Sequence, residues 1–377
     1  LFLATISKGK AMNPKYIMIG GFLGAGKTTT VSRLARHYMD QGKKMAIVTN
    51  DQTTELVDTQ SLRSQGFDVG EVAGACFCCN FNELTATVEK MSHGEQPDII
   101  LAEPVGSCTD LVATVLRPLQ KVYGKPLEIA PYGVILKPSH GKKILEGKPG
   151  GGFSPKAEYI FRKQLEEADF ILVNRIDELS QPEADHLVKL LEEQFPGRPI
   201  VRISAKTGAG FDKFIHQLEQ KGSHGTRLMD LDYDVYAEGE AELGWLNSQI
   251  NISSVKPLDL DRFLLDLVSG LLEKFRAEGA EAAHLKTIGL SEATYAVANL
   301  VSNETGPELS LPSSAQVTSA NVVVNARVGI DPSVLDSQVR SQIAKSCEKF
   351  GAKFEVQTLQ SFRPGRPVPT HRILETA

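Results

Sequence analysis

The sequence predicts an α/β protein: a doubly wound, mostly parallel sheet over residues 13–225, then a smaller α+β unit over 226–377 with a ferredoxin-like order of elements. Three observations predict it. Short apolar runs alternate with amphipathic stretches from about residue 14 to 222, a glycine-rich phosphate loop stands between the first strand and the first helix, and the texture changes after Gly222-Ser223-His224-Gly225.

Taken in order, strands of the first unit are expected at Tyr16–Ile19, Met45–Thr49, Asp98–Ala102, Ala130–Leu136, Phe170–Val173 and Ile200–Ile203. Helices are expected between them, near 28–40, 82–92, 109–120, 156–167, 182–194 and 211–220. Residues 137–154 carry Lys137, Lys142, Lys143, Lys148 and Gly150-Gly151-Gly152. They read as too polar for a core element, hence as a mobile loop, either a lid or a solvated insertion.

In the second unit, strand material is expected at 231–252, a helix at 258–277 and strands near 284–300 and 316–328. A helix at 332–349, a strand at 353–359 and an extended, proline-rich tail from Arg363 complete it. Asp230, Asp232, Asp234, Glu238, Glu240 and Glu242 fall on alternate positions. On a strand they form one face, a solvated or edge-protecting one or, as a rival reading, a metal-delivery surface.

Composition narrows the function. A chain of 377 residues, 41% hydrophobic and 23% charged, can bury a full core. Its net charge of -5 gives no field for nucleic acid or an anionic membrane, and no stretch reaches the roughly 20 apolar residues of a membrane span. Residues 1–12 read as an extension without the pattern of an export signal, so a cytoplasmic location is expected. Of the cysteines Cys76, Cys78, Cys79, Cys108 and Cys347, three fall within four positions. In a reducing compartment that indicates metal or redox chemistry rather than disulfides.

Gly21-Phe22-Leu23-Gly24-Ala25-Gly26-Lys27-Thr28 fits G-x-x-x-x-G-K-[ST]. The backbone of Gly21, Gly24, Ala25 and Gly26, with Thr29, would cradle phosphates; Lys27 would meet the β and γ positions and Thr28 would offer a hydroxyl to Mg²⁺. Glu103-Pro104-Val105-Gly106 follows a strand, so Glu103 is expected near Mg²⁺ and the Gly106 N–H near the γ-phosphate. Asn174-Arg175-Ile176-Asp177 matches N-[KR]-x-D and puts Asp177 where a carboxylate accepts two guanine N–H groups, with the Arg175 guanidinium over the base face. Ser204, Ala205 and Lys206, again just after a strand, would meet the guanine carbonyl. The order of these segments predicts GTP and GDP over ATP.

Between the phosphate loop and Glu103 lies Cys76-Phe77-Cys78-Cys79. With the string Gly20 to Thr30, the E-x-x-G element and the segment Asn50-Asp51 to Val57-Asp58, it resembles the CobW-type GTPases, relatives of the HypB and UreG metallocentre factors. The resemblance covers residues 16 to about 220 and implies a SIMIBI-type fold, a first switch carrying Asp51 or Asp58 near Mg²⁺, and cysteines that bind Zn²⁺ or Co²⁺. Thiolate softness agrees with that metal class. Cys108, two residues after Gly106, is a candidate fourth thiolate or else a small buried residue, and Cys347 reads as core. The histidines are scattered and form no metal-storing tract.

The leading expectation is a slow GTPase that loads a transition metal into a client metalloprotein in a nucleotide-dependent way, with a homodimer compatible. The alternative is a regulatory GTPase gating delivery of a cofactor such as a corrinoid to a dependent enzyme, its cysteines structural or redox-sensing.

Overall fold

The computed structural model describes residues 13–50, 57–91, 96–147, 154–292 and 294–375. The first half alternates strands and helices except at one paired step of two strands and two helices. It opens with β1 (Lys15–Gly21), α1 (Lys27–Asp40), β2 (Met45–Asn50), α2 (Val57–Ser64), β3 (Val69–Val72), α3 (Phe81–Met91) and β4 (Ile99–Glu103). A π-turn at Val112–Leu116 leads into α4 (Arg117–Lys121), β5 (Glu128–Ile129), β6 (Gly133–Leu136), α5 (Pro138–Leu145) and α6 (Pro155–Glu167). It ends with β7 (Phe170–Val173), α7 (Gln181–Gln194), β8 (Ile200–Arg202) and α8 (Phe211–Leu218).

The strands run β3-β2-β4-β1-β6-β7-β8, with β5 beside β1, and the pairs are parallel. Both faces are covered, which is why these strands are buried apolar runs. Tyr16, Met18 and Ile100 point into one core and Ile17, Ile19 and Leu101 into the other. Successive connections turn to opposite sides of β1, so the crevice at its carboxyl end, where such sheets bind ligands, falls at the phosphate loop.

After α9 (Tyr233–Ala241) comes a second sheet: β9 (Gly244–Asp259), α10 (Leu260–Ala277), β10 (Ala282–Ser291), β11 (Thr294–Leu300), β12 (Pro307–Leu311), β13 (Gln316–Val328), α11 (Pro332–Lys349) and β14 (Ala352–Phe362). Its order is β12-β11-β10-β13-β9-β14, antiparallel throughout. Without the β11–β12 hairpin this is the βαββαβ ferredoxin-like arrangement. One face packs Leu285, Val322, Val324 and Ala326 with the helices, Cys347 among them. The opposite face turns to the parallel sheet's carboxyl edge, where Ile288, Val297 and Val323 meet Val57 of α2.

Three expectations are corrected. Residues 138–145 of the expected loop form α5, with Pro138, His140, Ile144 and Leu145 buried, because the lysines lie on one side of an amphipathic turn; residues 148–153 lie outside the described residues. The alternate carboxylates do not sit on a strand. Asp232 caps α9 by accepting the N–H groups of Asp234 and Val235, which makes a helix of 233–241 and buries Tyr236 and Glu240 while leaving Asp234 and Glu238 outside. The helix expected near 109–120 starts as a π-turn, where the buried Glu167 carboxylate takes the Val112 N–H at 3.0 Å.

Candidate functional site

β1 ends in a loop that closes on α1. Gly26, the first residue before the helix, adopts φ 96°, and a Cβ there would stand 2.4 Å from Asn174 Nδ2. Both facts require glycine. Lys27 is buried and folded back, its ammonium donating to the carbonyls of Gly21 at 2.9 Å and Phe22 at 3.4 Å. Burial pulls its pKa down against the opposing pull of Glu103 and Asp58.

Thr28 Oγ1 lies 2.8 Å from Asp58 Oδ1 and 2.9 Å from Glu103 Oε1. Glu103 is 4% exposed, and its Oε2 is buried without a hydrogen-bond partner among the described residues. Burial, then Asp58, pushes its pKa up to about 7. A hydroxyl and two carboxylates with an orphaned oxygen form the hard donor set that suits Mg²⁺. Asp51 lies outside the described residues. Gly106 packs so tightly that a Cβ would stand 2.9 Å from Lys27 Nζ and 2.8 Å from a Leu23 methyl. Any side chain there would push the phosphate-loop lysine away.

The base end is built by three loops tied together. Asn174 Nδ2 donates to Ala25 O at 2.8 Å and its Oδ1 accepts from the Ala205 N–H at 2.9 Å, so one amide joins the phosphate loop to the Ser204–Lys206 turn. Ser204 is fully buried and caps that turn through the Thr207 N–H. Arg33 of α1 braces the turn at the carbonyls of Ala205 and Lys206. Asp177 is exposed and lines a cavity of about 710 Å³ together with Thr29, Asn174, Arg175 and Lys206, a size that suits a small ligand.

Sequence reasoning missed that the second sheet roofs this cavity. Glu308 of β12 lies 2.5 Å from Lys206 Nζ and 3.5 Å from Arg175 Nη1. His284, Lys286, Asn299, Asn325 and Arg327 line the phosphate end. Lys137 reaches across to the carbonyls of Ala283 and Val301. Lys286 Nζ lies 2.6 Å from Asp58 Oδ1. Burial pushes Asp58 up, but Lys286, with His284 and Thr28, outweighs it and holds the carboxyl below its usual range. The available signal was the alternation of β10, which puts His284, Lys286 and Ile288 on one face.

The thiols follow β3. Cys76 Sγ lies 2.9 Å from Cys78 Sγ and 3.1 Å from Cys79 Sγ, and those two are 3.7 Å apart. A Zn–S bond of about 2.3 Å sets tetrahedral ligands about 3.8 Å apart, so an ion would need only a slight spreading. Cys108 is buried and lowers the Cys76 pKa, but it stands outside the set of three whose sulfurs all lie within 4.8 Å of one another. Hydrogen bonding with Cys108, Cys78 and Cys79 holds the Cys76 pKa well down, while the pKa values of the other three are raised, that of Cys79 to about 11. Of the four sulfurs, Cys76 is therefore the most readily deprotonated.

Three features surround it. Asn50, at the end of β2 and on the wall of the phosphate cavity, donates to the carbonyls of Val72 and Ala75 and accepts the Phe77 N–H at 2.8 Å. Glu240 of α9 is 1% exposed with neither oxygen in a well-formed hydrogen bond among the described residues; burial, then Cys76, pushes its pKa up to about 8, against hydrogen bonding from Ser107 and Tyr236. The tail crosses over the loop: Thr370 donates to the carbonyls of Cys78 and Cys79, and Arg372 Nε meets Asp110 at 2.7 Å.

Residues 15–202 match the family described as CobW/HypB/UreG, nucleotide-binding domain. The chain is 28% identical over 183 residues to the zinc chaperone YeiR of Escherichia coli, a match covering 48% of this chain and about half, 52%, of that protein. It is 27% identical over 218 residues to the urease accessory protein UreG of Metallosphaera sedula, covering 53% of this chain and 91% of that one. The Zn(II)-bound YjiA GTPase from E. coli is a solved structure that aligns over 89% of this chain and 99% of its own at 15% identity and a TM-score of 0.36. Among the described residues no helix is long and apolar enough to cross a membrane.

Proposed function

Residues 15–202 belong to the CobW/HypB/UreG family of nucleotide-binding domains, and from that premise we propose that this chain is a GTP-hydrolysing metallochaperone. It holds a transition metal of the Zn²⁺ or Co²⁺ class through Cys76, Cys78 and Cys79, and passes it to a client protein according to the bound nucleotide. The observation that carries this reading is the pair of short links between the clusters. Asn50 lines the phosphate cavity and hydrogen-bonds the backbone of the thiol loop on both sides of Cys76. Gly106 and Cys108 share one turn, held by Gln164 at both carbonyls. Ordering of the Gly106 turn around a terminal phosphate moves Cys108 against Cys76.

Within the nucleotide site, Asp177 selects guanine and Asn174 fixes the loops that meet base and phosphate. Thr28, Asp58 and Glu103 hold Mg²⁺, which neutralises phosphate charge when bound. Among the described residues that line the phosphate cavity there is no glutamine; on this reading intrinsic turnover is slow and rises with a partner or cargo metal. The supporting relatives carry the names of a zinc chaperone and a urease accessory protein; YeiR is spanned for only 52% of its length, so client and cargo rest on this proposal.

The test is titration of Zn²⁺ and Co²⁺ into reduced protein with Mg²⁺ and either GDP or a non-hydrolysable GTP analogue, following thiolate-to-metal charge transfer. Cysteine-dependent binding whose affinity differs between the nucleotides is expected. Equal affinity in both states removes the gating. Absence of cysteine-dependent binding leaves a GTPase that gates delivery of some other cofactor.

A further inference from the structure

The phosphate cavity contains a cation that the nucleotide motifs do not supply. Lys286 sits in the middle of β10, opposite Asn325 on β13 and Asn299 on β11. Its neighbours Leu285 and Thr287 turn away from the cavity, while Lys286 shares its wall with Lys27, Thr28, Asp58, Glu103 and Gly106. The side chain is 10% exposed and its ammonium reaches Asp58 Oδ1 at 2.6 Å. That same oxygen accepts from Thr28 Oγ1, which also meets Glu103.

A positive charge thus stands against the donor set suited to a divalent cation, and it comes from the sheet that carries no nucleotide motif. The carboxylates of Asp58 and Glu103 face the ammonium groups of Lys27 and Lys286, and the guanidinium groups of Arg175 and Arg327 add positive charge to the same wall. With Asp58 engaged in holding Mg²⁺, Lys286 would be without its counter-ion in a place where an unpaired charge is strongly unfavourable. A nucleoside diphosphate carries one negative charge fewer than the triphosphate, and the difference lies at the terminal phosphate.

Resting on the GTPase reading above, we propose that Lys286 is a terminal-phosphate sensor donated by the C-terminal sheet. Its ammonium neutralises Asp58 in the nucleotide-free protein and turns to the γ-phosphate once Mg²⁺ holds that carboxylate. β10 also carries the Ala283 carbonyl that receives Lys137, so the presence of a third phosphate is reported to the seam between the sheets.

The test compares equilibrium binding of GDP and a non-hydrolysable GTP analogue, both with Mg²⁺, to the full chain and to Lys286→Ala and Lys286→Arg. Lys286→Ala is expected to weaken the triphosphate analogue by about 10- to 100-fold, the range of a hydrogen bond to a charged group. GDP should stay within about threefold and Lys286→Arg should recover most of the loss. A second readout needs no nucleotide: Mg²⁺ should raise the melting temperature of Lys286→Ala more than that of the wild type, because the competing ammonium is gone. Equal loss for both nucleotides, no loss for either, or no added Mg²⁺ stabilisation would overturn the sensor. Wild-type protein that binds neither nucleotide would instead overturn the GTPase reading, and the sensor with it.

Discussion

Two buried polar clusters lie at the carboxyl edge of the parallel sheet, and they balance charge by different means. Around Thr28, two carboxylates face two ammonium groups, one of them Lys286 from the far sheet. Around Cys76 no such cation stands among the causes of its shift: its pKa is held down by hydrogen bonding with the other three thiols, with the Glu240 carboxyl nearby. A cation entering the oxygen cluster would displace the Lys286 ammonium from Asp58 and compete with one proton on Glu103, whereas a metal entering the sulfur cluster would displace the protons of several thiols. Because the Glu103 pKa is raised to about 7, Mg²⁺-dependent nucleotide binding should strengthen as pH rises through about 7, and metal binding at the thiols should tighten further as pH rises.

The sharpest way to break the comparison is Cys76→Ser. It removes the sulfur to which Cys78 and Cys79 are hydrogen-bonded, and metal affinity should fall by about 100-fold or more, while GDP affinity stays within about twofold; charge-transfer absorbance and nucleotide binding read the two. A parallel fall in both would mean that the clusters are one site. Asn50→Ala addresses the link instead. Leaving the Val72 and Ala75 carbonyls and the Phe77 N–H without their partner should cost about 2 kcal/mol in chemical denaturation, and the ratio of metal affinities between the two nucleotide states should move toward one. Persistence of that ratio would place the coupling at Gly106 and Cys108 alone.

The smallest effect concerns Glu240. Burial raises its pKa from the ordinary 4.5 to about 8, so the folded protein binds its proton more tightly than the unfolded chain does. The sign follows: this contribution to stability is complete below about pH 4.5 and is lost as pH rises through about 8. Metal-free Glu240→Gln should show a flatter dependence of melting temperature on pH and exceed the wild type by on the order of 1 kcal/mol at pH 8. Identical slopes would show that Glu240 does not ionise in the fold.

What could be read in advance follows the same division. The phosphate loop, Asn174 to Asp177 and Ser204 to Lys206 act through backbone conformations that contiguous residues determine, so their spacing alone placed them around one cavity. The C-x-C-C run was legible for the same reason. Lys286 and Glu308 were not, because nothing local distinguishes them from other charged residues on strands; only packing of one sheet over the other gives them a role. The carboxylates near 230–242 misled because alternate spacing also contains the i, i+4 pair Tyr236 and Glu240. A capping Asp232 decided in favour of helix, and tertiary burial then selected a single glutamate from the six.

The tail that crosses the thiol loop has a consequence for how the protein is made. Thr370 hydrogen-bonds Cys79 across 291 positions of chain. At 5–20 residues per second, synthesis leaves the three cysteines without that cover for about 15 to 60 s. An ion held by the thiols would be covered once the Thr370 segment lies down, and its later exchange would require that segment to lift from the Cys78 and Cys79 carbonyls.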